Sequence, residues 1–353
     1  MLSELWRLVE TDIPDCLVIP VFRRAIEHFT EGLPIEGHLG LELHLHDAER
    51  APDLSQVFSP TTARTLVEQQ AGIGLAAPGA VTRDHLRWLV SDPAITESIR
   101  LLWLEWDADV FEREDPTPSV FLEPSETAGE PAWKSVLENP AGHGMPDYVT
   151  ALPGDLLSTL AESGVKPGIV GTMVSRHPAP GRLYLSSPRL SDAIAAWRKL
   201  GVSDLDDATL RQLTRFEASG IRIRPNLDVL EGTLGSRIGL DLAWPGSGDL
   251  RLPHILVEWL KEQPGVDPAA VEGLSAFPHV WTPVDAHWPE AYLLASLQQP
   301  EDRFSQVTGY LHHLKLVFEG AALREIKAYL GFAHQLVTPG DSGTPRGASD
   351  NPG

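Results

Sequence analysis

The sequence predicts an α/β (α+β) fold: a closed antiparallel β-barrel of repeated ααββ units with helices wrapped outside it. Three observations carry that expectation. Short strands with one apolar and one polar face recur along the chain. They come as hairpins with tight turns rather than singly. Helical stretches, often in pairs, separate the hairpins. Helices between single strands would imply parallel crossovers, whereas helices between hairpins leave antiparallel closure as the simplest arrangement. Closure removes the sheet edges, packs the apolar faces on helices and turns the polar faces inward.

The elements follow in order. Residues 3–10 (SELWRLVE) and 20–32 (PVFRRAIEHFTEG) read as helices, the second ended by Gly32 and Pro34. Residues 37–47 (GHLGLELHLHD) form the opening strand, with Leu39, Leu41, Leu43 and Leu45 on one side and His38, Gly40, Glu42, His44 and His46 on the other. Helices are expected over 59–72, behind a hydroxyl cap, and over 83–92. A hairpin then joins 98–107 to 119–123 through an acidic turn, and 124–153 reads as loop with one short helix. After a helix over 154–164, a second hairpin runs 169–176 and 182–186. Two capped helices ending in glycine (190–201 and 206–220) lead to a third hairpin, 221–229 and 237–244. Pro225 suggests an edge or bulge in its first strand. Helices over 253–263 and 289–298 precede a last hairpin, 312–318 and 325–332. The expected domain organisation is one barrel over 1–337 and a disordered tail over 338–353.

Composition limits the partners. The chain has 353 residues, 42% of them hydrophobic, enough for a sizeable core. Lys and Arg number 28 against 49 Asp and Glu, a formal charge of −21, which argues against nucleic acid or an anionic membrane. A small anionic substrate stays open, since it needs only a few cations in one cavity. The lone Cys16 rules out an intrachain disulfide and fits a reducing compartment. The acidic start resembles no signal peptide, and no apolar run reaches the ~18 residues of a membrane span. A cytoplasmic, soluble protein is the expectation, its oligomeric state open.

Glu42 is the first candidate for chemistry. A carboxylate flanked by imidazoles on a polar strand face suits proton transfer or metal binding. Basic and aromatic residues recur on the corresponding faces of later strands: Arg182 with Tyr184, Arg222 with Arg224, and Lys327 with Tyr329. Lys315 faces with His313 and Val317. Gly-rich phosphate loops, a serine nucleophile elbow and paired cysteines do not occur.

At these residues the chain resembles the aromatic prenyltransferases with the ABBA (ααββ) barrel. The strand GHLGLELHLHD is similar to the family's first barrel strand, and the resemblance implies that Glu42 takes the acceptor's proton. It further implies diphosphate or substrate binding by Arg100, Arg182, Tyr184, Arg222, Arg224, Lys315, Lys327 and Tyr329, and an acceptor pocket at Trp103 and His44. The implied partners are a prenyl diphosphate and an aromatic acceptor. No DDxxD-type motif occurs, so no cofactor is expected to be required, with Mg2+ possible. The chain departs from the family pattern in having only five tyrosines. Two other readings stay open: a non-catalytic barrel that binds a small ligand, and a metal-dependent enzyme centred on His38, Glu42, His44 and His46.

Overall fold

The structure is a computed structural model that describes residues 1–47, 49–59, 61–62, 64–65, 99–113, 116–125, 156–173, 181–187, 189–202, 205–230, 233–244, 251–284, 288–298 and 303–338. Most of the expected helix over 59–72, all of that over 83–92, most of the loop over 124–153, most of the turn at 177–181 and nearly all of the tail lie outside these residues.

Eleven strands form one antiparallel sheet: β1 (His38–His44), β2 (Asp53–Phe58), β3 (Ile99–Trp106), β4 (Ser119–Pro124), β5 (Lys166–Thr172), β6 (Gly181–Ser186), β7 (Arg222–Leu230), β8 (Thr233–Ala243), β9 (His279–Trp281), β10 (Phe304–Glu319) and β11 (Ala322–Val337). Strand order runs β11-β1-β2-β3-β4-β5-β6-β7-β8-β10, and β10 also pairs with β11, so ten strands close into a barrel. Short β9 adds to β10 at Val307–Gly309. The expected closed antiparallel barrel is therefore observed. Eight helices accompany it among the described residues: α1 (Leu2–Val9), α2 (Pro20–Thr30), α3 (Leu156–Glu162), α4 (Leu190–Lys199), α5 (Asp207–Ala218), α6 (His254–Lys261), α7 (Pro268–Ala276) and α8 (Glu290–Leu297). None is long and apolar enough to cross a membrane.

The chain divides into two compact units. The first holds residues 1–56, 244–314 and 327–353. Its α1 and α2 are joined by the Arg7–Glu27 ion pair, at 2.6 Å, and by Trp6 Nε1 donating to the Arg23 carbonyl. Phe332 of β11 packs edge-on against Phe277, and Trp281 is anchored by donating Nε1 to Asp12 at 2.8 Å. The leucine face of β1 is buried, as its alternation requires: Leu39, Leu41 and Leu43 are all under 5% exposed. Helix α7 and strand β9 had no counterpart in the sequence reading; Asp267 caps α7 by accepting from the Ala269 N–H.

The second unit holds residues 57–243 and 315–326. At its start Ser59 accepts from the Thr62 N–H, the hydroxyl cap expected there. Helices α3, α4 and α5 end at Gly164, Gly201 and Gly220 with φ near +70 to +84°, so each expected glycine stop is a left-handed C-terminal cap. Pro225 corrects an expectation. It lies within β7, opposite Leu240 of β8, and the irregularity of that ladder falls between Leu227 and Val229 instead. The β6 ladder ends at Tyr184↔Asn226, one residue short of Pro225, so the missing N–H breaks no bond to β6.

Candidate functional site

Glu42 occupies the polar face of β1 in the first unit. Antiparallel pairing with β11 sets Glu42 opposite Tyr329 and His44 opposite Lys327. Directly opposed residues point to the same face, which brings four polar side chains together. Lys327 Nζ donates to Glu42 Oε1, and the Tyr329 hydroxyl donates to Oε2. His44 Nε2 lies 3.1 Å from Asp53 Oδ2 and 3.8 Å from Glu42 Oε1. Glu42, His44, Asp53 and Lys327 are at most 7% exposed.

A carboxylate so deeply buried survives only with compensation. Glu42 and Asp53 are matched by Lys327 and by Arg50, whose Nη2 is 3.7 Å from Asp53 Oδ2. Burial pushes the Asp53 carboxyl above the usual carboxylate range, and the neighbouring Glu42 charge adds to that, against the His44 hydrogen bond and the Lys327 charge.

Strand β10 contributes an aromatic layer. His313 stacks on Tyr329, with ring centroids 4.0 Å apart and planes 14° from parallel, and its Nδ1 is 2.6 Å from His312 Nδ1. Upstream on the same strand, a Cβ on Gly331 would strike the Tyr310 ring at 2.6 Å, and Thr308 Oγ1 accepts from Gln335 Nε2. Gly331, Tyr329 and Gln335 share one face of β11. Even-numbered residues of β10 therefore meet that face up to Tyr310, and odd-numbered ones meet it from His313. One extra residue is absorbed in between, the signature of a β-bulge.

Donor atoms of Glu42, His44 and Asp53 all lie within 4.8 Å of one another, a mixed oxygen and nitrogen set of the type that takes small divalent cations. The Lys327 ammonium holds the cationic position beside Glu42. The set differs from the expected His38, Glu42, His44 and His46. His38 lies at the other end of β1 from His44, and β1 ends at His44, before His46. His334 lies on the opposite face of β11, stacked on Tyr292 at 3.8 Å and bonded to Ser305; burial, with the His38 charge second, pushes it down to about 4.

The second unit contains a cluster around Tyr184. Its ring joins Trp103, Phe121, Ile169 and Met173, with Phe121 edge-on at 6.2 Å. A Cβ at Gly171 would overlap the Phe121 ring, so glycine is required there for close approach. Two cations face Tyr184: Arg224 lies 5.5 Å and Lys315 Nζ 5.2 Å from the ring centre, and Lys315 also donates to the hydroxyl. Burial raises the Tyr184 hydroxyl far above the ordinary phenol range and keeps it neutral.

Carboxylates accompany the arginines. Arg182 Nε donates to Asp228 Oδ1 at 2.8 Å, both residues being buried. Burial alone would raise the Asp228 carboxyl, but the Arg182 charge and hydrogen bond outweigh it and pull it below its ordinary value. Asp241, 1% exposed, accepts from Arg224 at 3.4 Å and from Asn226 at 3.2 Å. Arg100 bonds Glu123 on the neighbouring strand. Arg222, expected beside Arg224 at the site, stands exposed at the start of β7, opposite Ala243 of β8. Trp103, expected with His44 at an acceptor pocket, packs in the Tyr184 cluster of the second unit, whereas His44 belongs to the Glu42 site of the first.

Asp53, Asp228, Asp241 and the His313 stack were not among the expected site residues. Searched against known proteins, the chain matches no family model and no curated protein.

Proposed function

We propose that the protein transfers an allylic group from a prenyl diphosphate to an aromatic small molecule or peptide side chain. The observation that carries this reading is the buried Glu42 carboxylate, held by Lys327 and Tyr329 on a barrel strand. Electrophilic prenylation of an aromatic ring ends with loss of a ring proton, and Glu42 is the base. An acceptor N–H or O–H takes the place of one of its two donors and is oriented by the other. Lys327 stabilises the carboxylate electrostatically.

The Tyr184 cluster supplies what the earlier step needs. Ionisation leaves charge on the diphosphate, for which Arg182, Arg224 and Lys315 are the donors. The allylic cation is stabilised by the faces of Tyr184, Phe121 and Trp103, each aromatic contact worth about 1–2 kcal/mol when desolvated. Binding the diphosphate displaces Asp228 and Asp241 from their arginines. The alternation of helices and five hairpins supports ααββ units, and the acidic charge and single cysteine support a soluble, cytoplasmic protein.

Calorimetric titration with dimethylallyl and geranyl diphosphate tests the reading. Binding to the wild type is expected, with Glu42→Gln binding equally and turning over about 10²–10⁴-fold more slowly with an aromatic acceptor. Failure of every prenyl diphosphate to bind would remove the proposal, and equal loss of affinity and turnover in Glu42→Gln would make Glu42 structural.

A further inference from the structure

Glu42 and His44 alternate on one face of β1, and Asp53 opens the neighbouring strand β2. The imidazole stands between the two carboxylates, with His44 Nε2 3.1 Å from Asp53 Oδ2 and 3.8 Å from Glu42 Oε1. Atoms that share one ion at about 2.1 Å lie about 3.0–3.4 Å apart at neighbouring positions of its shell, and about 4.2 Å apart across an octahedral one. The three donor atoms here are all within 4.8 Å of one another, so small side-chain adjustments close them on one ion. All three residues are buried, so the grouping is no chance meeting of surface acids.

Two side-chain cations already serve these carboxylates. Arg50 reaches Asp53 from 3.7 Å with its side chain 44% exposed, an ion pair that costs little to open. Lys327 is the stronger rival, because it is buried and donates to Glu42 Oε1, the oxygen that faces His44. The Tyr329 hydroxyl is on Oε2, and ligation through Oε1 leaves that bond in place. One ammonium matches one carboxylate, whereas a divalent ion matches two.

We propose that Glu42, His44 and Asp53 form a binding site for one divalent transition-metal ion, of which Zn2+ is the type, and that the Lys327 ammonium competes with the ion for Glu42. One imidazole with two carboxylates suits Zn2+ better than Mg2+, which favours oxygen ligands and keeps several waters. Binding stands independently of the proposed function. Its consequence rests on that reading, since an ion on Glu42 lowers the basicity of the carboxylate and so inhibits transfer.

The test is calorimetric titration of the whole protein with Zn2+, and with Mg2+ as the control. The wild type is expected to bind one Zn2+ equivalent that is absent from His44→Phe and from Asp53→Asn. Lys327→Met is expected to bind that equivalent at least about tenfold more tightly than the wild type, and its urea midpoint is expected to rise with Zn2+. Lys327→Gln takes its place if the methionine variant does not fold. If neither folds, the wild type and His44→Phe still decide the site. An equivalent bound equally well by His44→Phe overturns the proposal, as does equal affinity for Mg2+ or an affinity that the lysine substitution leaves unchanged. Zn2+ binding without prenyl diphosphate binding would end the proposed function and support the metal site. Turnover unaffected by Zn2+ at this site would remove Glu42 as the base and leave the site standing.

Discussion

The Glu42 site and the Tyr184 cluster handle buried charge in opposite ways. At Glu42 an acid is the central group, and its partners are donors presented by the neighbouring strand. At Tyr184 a neutral ring is central, cations lie over it, and carboxylates hold two arginines of the cluster. The first arrangement stores a base. The second stores cations with anions already against them, so an incoming anion must compete with the protein's own aspartates. Both sites hold buried charge, and the sign of the charge each one presents differs.

That contrast is tested most severely at Lys327. Lys327→Met leaves the buried Glu42 charge without its ammonium, and about 3–5 kcal/mol of stability is expected to be lost in urea unfolding. Combining it with Glu42→Gln should recover most of the loss. A single substitution costing under ~1 kcal/mol would show that Glu42 is protonated in the resting protein and that the two regions do not differ in sign.

His334, on the opposite face of β11, sharpens the comparison, because it is a half-buried imidazole stacked on Tyr292 rather than a buried carboxylate. Its folded pKa of about 4 lies below the unfolded value of about 6.5. The neutral form is favoured by folding, so its contribution is fully present above pH 6.5 and is lost as the pH falls toward 4. The gap corresponds to roughly 2–3 kcal/mol. Urea midpoints at pH 7.5 and 4.5 should therefore fall further apart for the wild type than for His334→Phe, which keeps the stack on Tyr292. Equal pH dependence in the two proteins would contradict the assignment.

The smallest expected effect concerns the stand-in carboxylates. Asp241→Asn keeps the side chain's shape and removes its charge, and is expected to tighten binding of inorganic diphosphate by about tenfold, or ~1.4 kcal/mol. An unchanged or weaker affinity in calorimetry would mean that Asp241 positions Arg224 rather than competing for it.

How far these regions were legible follows from periodicity. The β1 pattern is strict, so its apolar face, the place of Glu42 and the polar alternation of Lys327 and Tyr329 could be read directly. Register could not: nothing in the chain says that Tyr329 faces Glu42 and Lys327 faces His44. Asp53 was missed because β2 is six residues long and begins at the aspartate, too short for alternation to stand out. Asp228 and Asp241 were missed for a different reason. In a chain with 49 acidic residues an aspartate carries little signal, and its meaning appears only when cross-strand pairing brings it to an arginine. Pro225 was misread because the usual ban applies to a paired N–H, and the β6 ladder stops one residue earlier.

The extra residue between Tyr310 and His313 also makes β10 two reading frames in one strand. Deleting a single residue there would leave Tyr310 and His313 two positions apart, so regular alternation would return with both halves keeping their faces. A single deletion elsewhere in the strand has the opposite effect and turns one half over. Deleting position 311 or 312 should therefore be tolerated far better than a single deletion at 316, which exchanges the faces beyond it.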